Sequence, residues 1–287
     1  MKIALIGADG QLGSDLLTYL GETHEVHGWN YPDVDITRPR EVSSRCRELG
    51  PDLLINTAAY NLVDGAEEDP GAAFSLNTFA VRDLAFICRD TDTILMHFSS
   101  DYVFDGSRRE PYSEEDAPSP LNVYGVSKLA GEYFVRSILS RYILIRTCGL
   151  YGTAGCWGKG YNFVDTMERL GREKQPIRVV NDQSVTPTST LELAKRLADL
   201  IEMGRFGLFH MTNDGQCSWY EFAAEIFRIL GMEADLEGVD STAYGARAQR
   251  PAFSVLENRH AERIGLSGFS PWDVALKDYL IRKGHLK

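Results

Sequence analysis

The first half of the chain alternates short apolar runs with longer amphipathic segments. The runs "KIALIG", "DLLINTA", "TILMHFSS" and "RYILIRT" are apolar at nearly every position, as in strands buried on both faces of a parallel sheet. Segments such as "QLGSDLLTYL" and "VYGVSKLAGEYFVRSIL" between them have helical spacing. Strands and helices that alternate in this way predict an α/β fold, a Rossmann-type doubly wound parallel sheet.

The pattern changes after Thr147, where the glycine-rich stretch "GLYGTAGCWGKG" precedes a mixture of shorter helices and strands. We therefore predict a Rossmann domain over residues 1–150 and a smaller C-terminal α/β lobe over residues 151–287. The second lobe should bind substrate above the carboxyl edge of the sheet. We expect an interleaved boundary, because lobes of this kind often exchange strands.

Three glycines, Gly7, Gly10 and Gly13, lie between the first predicted strand and the first predicted helix. This context predicts a dinucleotide site, because the turn brings backbone N–H groups and a helix N-terminus close to a pyrophosphate. A second run of glycines with the same spacing, from Gly149 to Gly158, follows a later strand. We interpret that run as a mobile lid.

The sequence leaves the choice between NADP and NAD open. The second strand should end near Asn30, where an acid that binds the ribose hydroxyls of NAD is often found. Asp35 and Ile36 follow only a few residues later. Arg38 could meet a 2′-phosphate, although a solvated loop arginine is the simpler interpretation.

Ser100, Tyr124 and Lys128 form the main catalytic candidate. Ser100 ends the fourth predicted strand, at the sheet edge where ligands bind, and Tyr124 and Lys128 lie one turn apart on one helix face. The serine hydroxyl can hold a carbonyl oxygen and the tyrosine can protonate it. A nearby ammonium favours the phenolate of a tyrosine, whose ordinary pKa is about 10.

A second pair with the same spacing, Tyr279 and Lys283, lies near the end of the chain. We interpret it as a neighbour contact on an exposed helix, which contributes only tenths of a kcal/mol.

Composition narrows the class of protein. The 44% hydrophobic and 25% charged residues are typical of a globular protein, and a net charge of -11 without a Lys/Arg cluster argues against nucleic acid. The N-terminal apolar run is too short for a signal peptide or a membrane span. Five scattered cysteines without a Cys-x-x-Cys pair favour a cytoplasmic, reducing location.

Several motifs together resemble a known family. "GADGQLG", "NTAAYNLVDGAE", "FSSDYVFDG", "PLNVYGVSKLAGE", "NDQ", "WYEFA" and "RP" occur in this order over nearly the whole chain. In these motifs the chain resembles the extended short-chain dehydrogenase/reductase superfamily and, within it, the dTDP-4-dehydrorhamnose reductase family.

The resemblance implies roles for particular residues. Ser100, Tyr124 and Lys128 match the catalytic triad, with serine where the family usually has threonine. The expected cofactor contacts are Gly7, Gly10, Gln11, Leu12, Gly13, Asp35, Ile36, Ala59, Tyr60, Asn61, Tyr124 and Lys128. The expected substrate contacts are Ser100, Asp101, Tyr102 and Arg250, to which we add Trp157.

The chain departs from the family around the substrate. Cys148 and Gly149 replace a Ser-Trp pair, and the following loop is longer and carries Trp157. We expect Trp157 to act as a lid over the sugar, although packing between lobes or at a dimer contact would explain it equally well. Phe253 replaces the asparagine of the usual Arg-Pro-x-Asn-Ser.

The sequence favours no metal site. Some members of the family bind magnesium through glutamates at a dimer contact. Asp15 matches that pattern only partly, and the residues around Leu191 and Glu192 do not align with it. A motif such as His-Glu-x-x-His is also absent from the sequence.

The resemblance implies an NAD(P)H-dependent oxidoreductase that reduces the C4 keto group of a dTDP-4-keto-6-deoxyhexose, as in the conversion of dTDP-4-dehydrorhamnose to dTDP-L-rhamnose. Two alternatives stay open: reduction of another 4-keto sugar nucleotide, and a non-enzymatic regulatory role like that of a relative in methionine adenosyltransferase. A 4,6-dehydratase or an epimerase is disfavoured, because dehydratases of this superfamily carry a pair of acids beside the serine position, whereas here one acid, Asp101, directly follows Ser100. We expect a dTDP-sugar as partner, neither nucleic acid nor membrane, and leave a homodimer open.

Overall fold

The strands form one six-stranded sheet and three small pairs in the computed structural model, which describes residues 1–155 and 160–285. In chain order they are β1 (Lys2–Ile6), β2 (Glu25–Trp29), β3 (Leu53–Asn56), β4 (Ile94–Ser100), β5 (Tyr142–Thr147), β6 (Leu150–Tyr151), β7 (Ile177–Val180), β8 (Ser184–Val185), β9 (Thr188–Ser189), β10 (Gly207–His210), β11 (Cys217–Ser218) and β12 (Leu236–Val239). The large sheet has the order β10-β5-β4-β3-β1-β2, and all its pairs are parallel. The predicted fold class is confirmed.

Helices cover both faces of this sheet. They are α1 (Gln11–Leu20), α2 (Pro39–Leu49), α3 (Val63–Glu68), α4 (Pro70–Phe74), α5 (Ala80–Asp90), α6 (Val123–Ile138), α7 (Phe163–Arg172), α8 (Thr190–Glu202), α9 (Trp219–Leu230), α10 (Ser241–Tyr244), α11 (Arg259–Arg263) and α12 (Trp272–Arg282). Apolar side chains of α1 and α8 pack on one face, and those of α2, α5 and α6 pack on the other. None of the helices in the described parts of the chain is long and apolar enough to cross a membrane.

The second half of the chain contributes to two cores. Strand β10 and helix α8 complete the large sheet and its outer layer. Helices α7, α9 and α12 enclose a separate apolar cluster with β7, built on Phe222, Ile226 and Leu276. The division at residue 150 stays a prediction.

The amphipathic stretch "GAAFSLNTFAVRDLAFICRD", residues 71–90, has the spacing of one long helix but does not form a continuous α-helix. A π-helical turn, Ser75–Phe79, separates α4 from α5. Within it the buried Asn77 side chain accepts a hydrogen bond from Tyr60 N (2.9 Å) and donates to Tyr60 O (3.0 Å) and Ser127 Oγ (3.0 Å). Sequence periodicity cannot reveal this turn, because the contacts come from distant segments.

The interpretation of Tyr279 and Lys283 as an exposed pair is wrong. Helix α12 packs its inner face on the small core, so the Tyr279 side chain is only 4% exposed. Its hydroxyl donates to Asp165 Oδ1 (2.8 Å) and accepts from Asn162 Nδ2 (3.1 Å), and Lys283 Nζ lies 2.7 Å from Asp165 Oδ1. This pair anchors α12 to the start of α7.

A buried ion pair joins α6 to β5. Arg146 on β5 donates through Nε and Nη2 to the two oxygens of Glu132 on α6, at 2.8 and 2.7 Å. The two side chains are 1% and 0% exposed. The Arg146 guanidinium also lies over the ring of Phe104, 5.1 Å from its centroid, and 3.4 Å from His210 Nε2 on β10. One arginine therefore connects α6, two strands of the sheet and the segment after β4.

We predict that Arg146→Met lowers the free energy of unfolding by about 3–5 kcal/mol, because it leaves Glu132 as a buried, unpaired carboxylate. Replacing both partners, with Glu132→Leu added, should cost less than the single change. Urea unfolding of the two variants measures the difference. A loss below about 1 kcal/mol in Arg146→Met would show that the pair behaves like an exposed one.

Candidate active site

A cavity of about 500 Å³ opens at the carboxyl ends of the central strands. Residues directly after β1 and β3 and at the ends of β4 and β5 contribute to its wall, the usual place for a ligand in an open α/β sheet. The wall consists of Ile6, Gly7, Asp9, Gly10, Gln11, Leu12, Tyr31, Val34, Asp35, Ile36, Thr37, Thr57, Ala58, Ala59, Asn61, Leu76, Phe98, Ser99, Tyr124, Lys128, Thr147 and Leu150.

The glycine loop between β1 and α1 forms one side of the cavity. Gly7, Gly10, Gln11 and Leu12 are in the wall, next to the N-terminus of α1. Gly13 is needed for packing, because a Cβ there would lie 1.9 Å from Gly7 O. The loop therefore fits a pyrophosphate held by backbone N–H groups.

The segment after β2 forms the far end of the cavity. Asp35 and Ile36 are in the wall, together with Thr37, whose N–H and hydroxyl donate to Asp35 Oδ1 at 2.9 and 2.7 Å. Arg38 is largely exposed and lies 3.6 Å from Asp35 and 3.4 Å from Glu41. These positions suit the adenine and ribose end of a dinucleotide.

Ala59 and Asn61 line the cavity after β3. Tyr60 between them is held by its backbone, through the two bonds to Asn77 described above. Because Asn77 also donates to Ser127 on α6, the strip after β3 is tied to the helix that carries Tyr124 and Lys128.

The start of α6 places Tyr124 in the cavity wall. Asn122 caps the helix, with its Oδ1 accepting from Gly125 N at 2.8 Å, and its amide donates to Gln249 O at 2.8 Å. A Cβ at Gly125 would lie 2.2 Å from Tyr102 O, so only glycine allows this close approach. The ring of Tyr102 stands edge-on to that of Tyr124, with centroids 5.8 Å apart.

Lys128 lies one turn further along and is buried at the cavity wall. Its Nζ donates to Phe98 O at 2.5 Å. Burial lowers the pKa of Lys128 from 10.5 to about 8, and the negative charge of Glu132, one turn away, acts in the opposite direction. A lysine with this pKa can carry a charge near neutrality while standing in an apolar wall.

Ser100 ends β4 beside the cavity, just behind Ser99 in the wall. Its Oγ lies 2.8 Å from Asp101 Oδ1 and accepts from Tyr102 N at 3.1 Å. Asp101 is buried, and its Oδ2 accepts from the thiol of Cys148 at 3.0 Å. Asp101 therefore stands behind Ser100 rather than in the wall formed by the described residues.

The remaining substrate candidates are less central. Arg250 makes a bidentate ion pair with Asp64 on α3, with Nη1 3.1 Å from Oδ1 and Nη2 2.7 Å from Oδ2. The guanidinium of Arg250 also lies near Tyr102. Trp157 lies outside the described residues, so its role as a lid stays a prediction.

The interpretation of the second glycine run as a mobile lid is wrong at its start. Leu150 and Tyr151 form β6, which pairs with β9. Gly152 N donates to Gln11 Oε1 at 2.9 Å, and a Cβ at Gly152 would lie 2.2 Å from Thr190 Oγ1. The spacing of the glycines could not show this pairing with a strand almost forty residues later.

Two hydroxyls in the wall were not among the predicted site residues. Ser99 Oγ and Thr147 Oγ1 are buried, and neither has a hydrogen-bond partner within the described parts of the chain. Buried polar groups are rarely left without partners, so these two hydroxyls suit a polar group of a ligand. Their positions at the ends of β4 and β5 are the signal that could have identified them.

Asp15 is the residue that partly matches a magnesium ligand of the family. Its Oδ2 accepts from Thr190 Oγ1 at 2.5 Å, and burial raises its pKa. Residues 1–155 and 160–285 contain no cluster of three or more His, Cys, Asp or Glu side chains that could hold a metal ion. The expected absence of a metal stays a prediction.

Comparison with known proteins identifies the family. A family model described as "RmlD substrate binding domain" matches residues 1–284. The chain belongs to this family. The resemblance to dTDP-4-dehydrorhamnose reductases that the motifs predicted is thereby confirmed.

Several known reductases are similar to this chain over nearly their full length. The dTDP-4-dehydrorhamnose reductase of Salmonella typhimurium is 34% identical, over 98% of this chain and 97% of that protein. A dTDP-4-keto-6-deoxy-D-glucose reductase of Streptomyces niveus is 36% identical, over 94% and 93% of the two chains. The crystal structure of dTDP-4-dehydrorhamnose reductase from Bacillus anthracis in complex with NADP superimposes with a TM-score of 0.93, at 35% identity, covering 98% of this chain and 99% of that one.

We predict that Thr147→Val weakens binding of the nicotinamide dinucleotide about three- to tenfold, the effect of one lost hydrogen bond. The free energy of unfolding without ligand should stay unchanged or rise slightly, because the buried hydroxyl that is removed has no hydrogen-bond partner in the part of the chain that the structure describes. Calorimetric titration and urea unfolding measure the two quantities.

Thr93→Val is the matched control, because that buried hydroxyl donates to Pro51 O at 3.0 Å, at the opposite end of β4. It should lower stability without changing dinucleotide affinity. Unchanged affinity in Thr147→Val would remove Thr147 from the binding site.

Proposed function

We propose that this protein is an NADPH- or NADH-dependent reductase of the C4 keto group of a dTDP-4-keto-6-deoxyhexose, with dTDP-4-dehydrorhamnose as the first candidate and dTDP-L-rhamnose as its product. One observation carries the proposal: a single cavity joins the glycine loop at the N-terminus of α1 to Tyr124 and Lys128 on α6. A dinucleotide seated on that loop would have its reactive end at these two side chains.

The relatives support the cofactor and the substrate class. The Bacillus anthracis relative binds NADP, and the Salmonella typhimurium and Streptomyces niveus relatives are reductases of dTDP-linked keto sugars. In this chain one cavity wall combines the glycine loop, the segment after β2 and the strip after β3, the places where a dinucleotide would be held.

The roles of the side chains follow from their chemistry. When bound, the reduced nicotinamide supplies the hydride. Tyr124 donates its phenolic proton to the oxygen of the keto group as the alcohol forms, and Ser100 holds that oxygen by its hydroxyl. The ammonium of Lys128 stabilises the phenolate left on Tyr124 and can hold a ribose hydroxyl.

A different 4-keto sugar is the second candidate. Cys148 and Gly149 stand where the family often has a Ser-Trp pair, and the Streptomyces niveus relative, named for another sugar, is as similar to this chain as the rhamnose enzyme. Cys148 contacts Asp101, the residue after Ser100, through its thiol at 3.0 Å. A cytoplasmic location and a homodimer stay predictions.

Assays of NADPH and NADH oxidation against a panel of dTDP-4-keto sugars, with the stereochemistry of each product determined, test the proposal. We expect turnover of at least one sugar, with the keto carbon reduced to a single alcohol epimer. Lack of turnover with every sugar, in protein that still binds dinucleotide, would instead favour the regulatory alternative.

We predict that Tyr124→Phe lowers kcat at least about a hundredfold, the scale of a lost general acid, while the dissociation constant of the dinucleotide changes little. Stopped-flow reduction and calorimetric titration measure the two effects. Tyr133→Phe on the exposed side of the same helix is the control and should behave like the wild type. Wild-type turnover in Tyr124→Phe would refute the assigned role.

The pKa of Lys128 predicts a pH dependence. Below pH 8 the ammonium is charged, and above it the side chain becomes neutral, because its pKa is lowered to about 8. If the charge stabilises the phenolate of Tyr124, kcat should fall as pH rises through about 8. A kcat that is constant, or rises, across one pH unit on either side of that value would show that the charge is not required.

A further inference from the structure

The hydroxyl of Ser100 cannot serve a substrate oxygen while Asp101 is ionised. A hydroxyl has one donor and two acceptor sites, and an ionised carboxylate can only accept. Ser100 Oγ already accepts from Tyr102 N (3.1 Å) and lies 2.8 Å from Asp101 Oδ1. With an ionised Asp101, the single hydroxyl hydrogen of Ser100 must point at that carboxylate. Ser100 then has no hydrogen left to donate to a keto oxygen, which can only accept a hydrogen bond.

A protonated Asp101 reverses this arrangement. Its O–H then donates to Ser100 Oγ, which fills the second acceptor site beside the bond from Tyr102 N. The hydrogen of Ser100 becomes free to point at the substrate. The hydrogen count therefore requires a proton on Asp101 whenever Ser100 donates to a keto group.

The surroundings of Asp101 favour the neutral form. The side chain is 3% exposed, and the polar groups that face its carboxyl are neutral: the thiol of Cys148 at 3.0 Å from Oδ2 and the hydroxyls of Ser100 and Ser254. Burial raises the pKa of Asp101, although the hydrogen bonds from these three groups oppose the rise. Burial also raises the pKa of the Cys148 thiol, so the thiol keeps its proton and acts as a donor.

We propose that Asp101 is a protonated positioning residue, which donates to Ser100 Oγ and so directs the Ser100 hydroxyl at the keto oxygen, instead of binding the substrate itself. This inference rests on the proposed reductase function for the role of Ser100, but the protonation of Asp101 can be tested without substrate. It also gives Cys148 a task, since its thiol donates to the carboxyl oxygen that does not face Ser100.

Infrared difference spectroscopy of the ligand-free protein at neutral pH tests the protonation. The wild type minus Asp101→Asn spectrum should show the C=O band of a protonated carboxyl. Asp15 and Asp214, whose pKa values burial also raises, contribute equally to both proteins and cancel. Asp105→Asn is the control, because hydrogen bonds lower the pKa of Asp105, and it should leave the band unchanged.

Kinetics test the positioning role. In Asp101→Asn the amide N–H can donate to Ser100 Oγ and the amide oxygen can accept from Cys148, so kcat should stay within about threefold of the wild type. Asp101→Ala removes the donor and should lower kcat about as much as Ser100→Ala. The double variant, Ser100→Ala with Asp101→Ala, should have a kcat no lower than that of either single variant, since the two residues act as a unit.

Two results would overturn the proposal: absence of the carboxyl band in the wild type, or a hundredfold loss of kcat in Asp101→Asn with intact dinucleotide binding. If Asp101→Asn does not fold, titration of the carbon-13 carboxyl resonances of the wild type decides, and an Asp101 signal already ionised at neutral pH contradicts the proposal. If instead no keto sugar is reduced by the wild type, the proposed function fails, while the spectroscopic result still stands.

Discussion

The ion pair between Glu132 and Arg146 is the constraint on which the geometry of the site depends. It fixes α6 against β5 from within the protein, where neither charge can find water as a substitute partner. Tyr124 and Lys128 are on the same helix, so their positions relative to the ends of the strands follow from this contact. The charge of Glu132 also opposes the loss of the proton from Lys128, which links the scaffold to the chemistry.

Polar groups buried around α6 extend this constraint. Asn77 ties the strip after β3 to the helix, and Asn122 ties the helix start to the segment before Arg250. A buried polar group that loses its hydrogen-bond partner destabilises the folded state, so each of these hydrogen bonds favours this one arrangement. Helix α6, which carries Tyr124 and Lys128, is therefore held at several points along its length. Fixed positions of this kind are needed where catalytic groups must meet a substrate at defined distances.

The sequence predicted those parts of the site that depend on local order. The glycine loop, the four-residue spacing of Tyr124 and Lys128, and the strand end at Ser100 could all be recognised because helix and strand periodicity and turn chemistry are local. The same reasoning misjudged Tyr279, because the spacing of a pair on a helix does not show which helix face is covered. Burial of that face depends on α7 and α9, which meet α12 only in the folded chain.

The sequence by itself determined the alternation of elements, the class of sheet and the family to which the chain belongs. The tertiary structure alone decided that β10 joins β5 and that Asp101 is enclosed with Cys148. It also decided that Ser99 and Thr147 present to the cavity hydroxyls without a partner among the described residues. The physical reason is that solvent exclusion and hydrogen-bond partners depend on all segments that surround a group. The neighbours of a residue in the sequence largely determine its backbone conformation. They say little about how polar or how accessible to water its surroundings are in the folded chain.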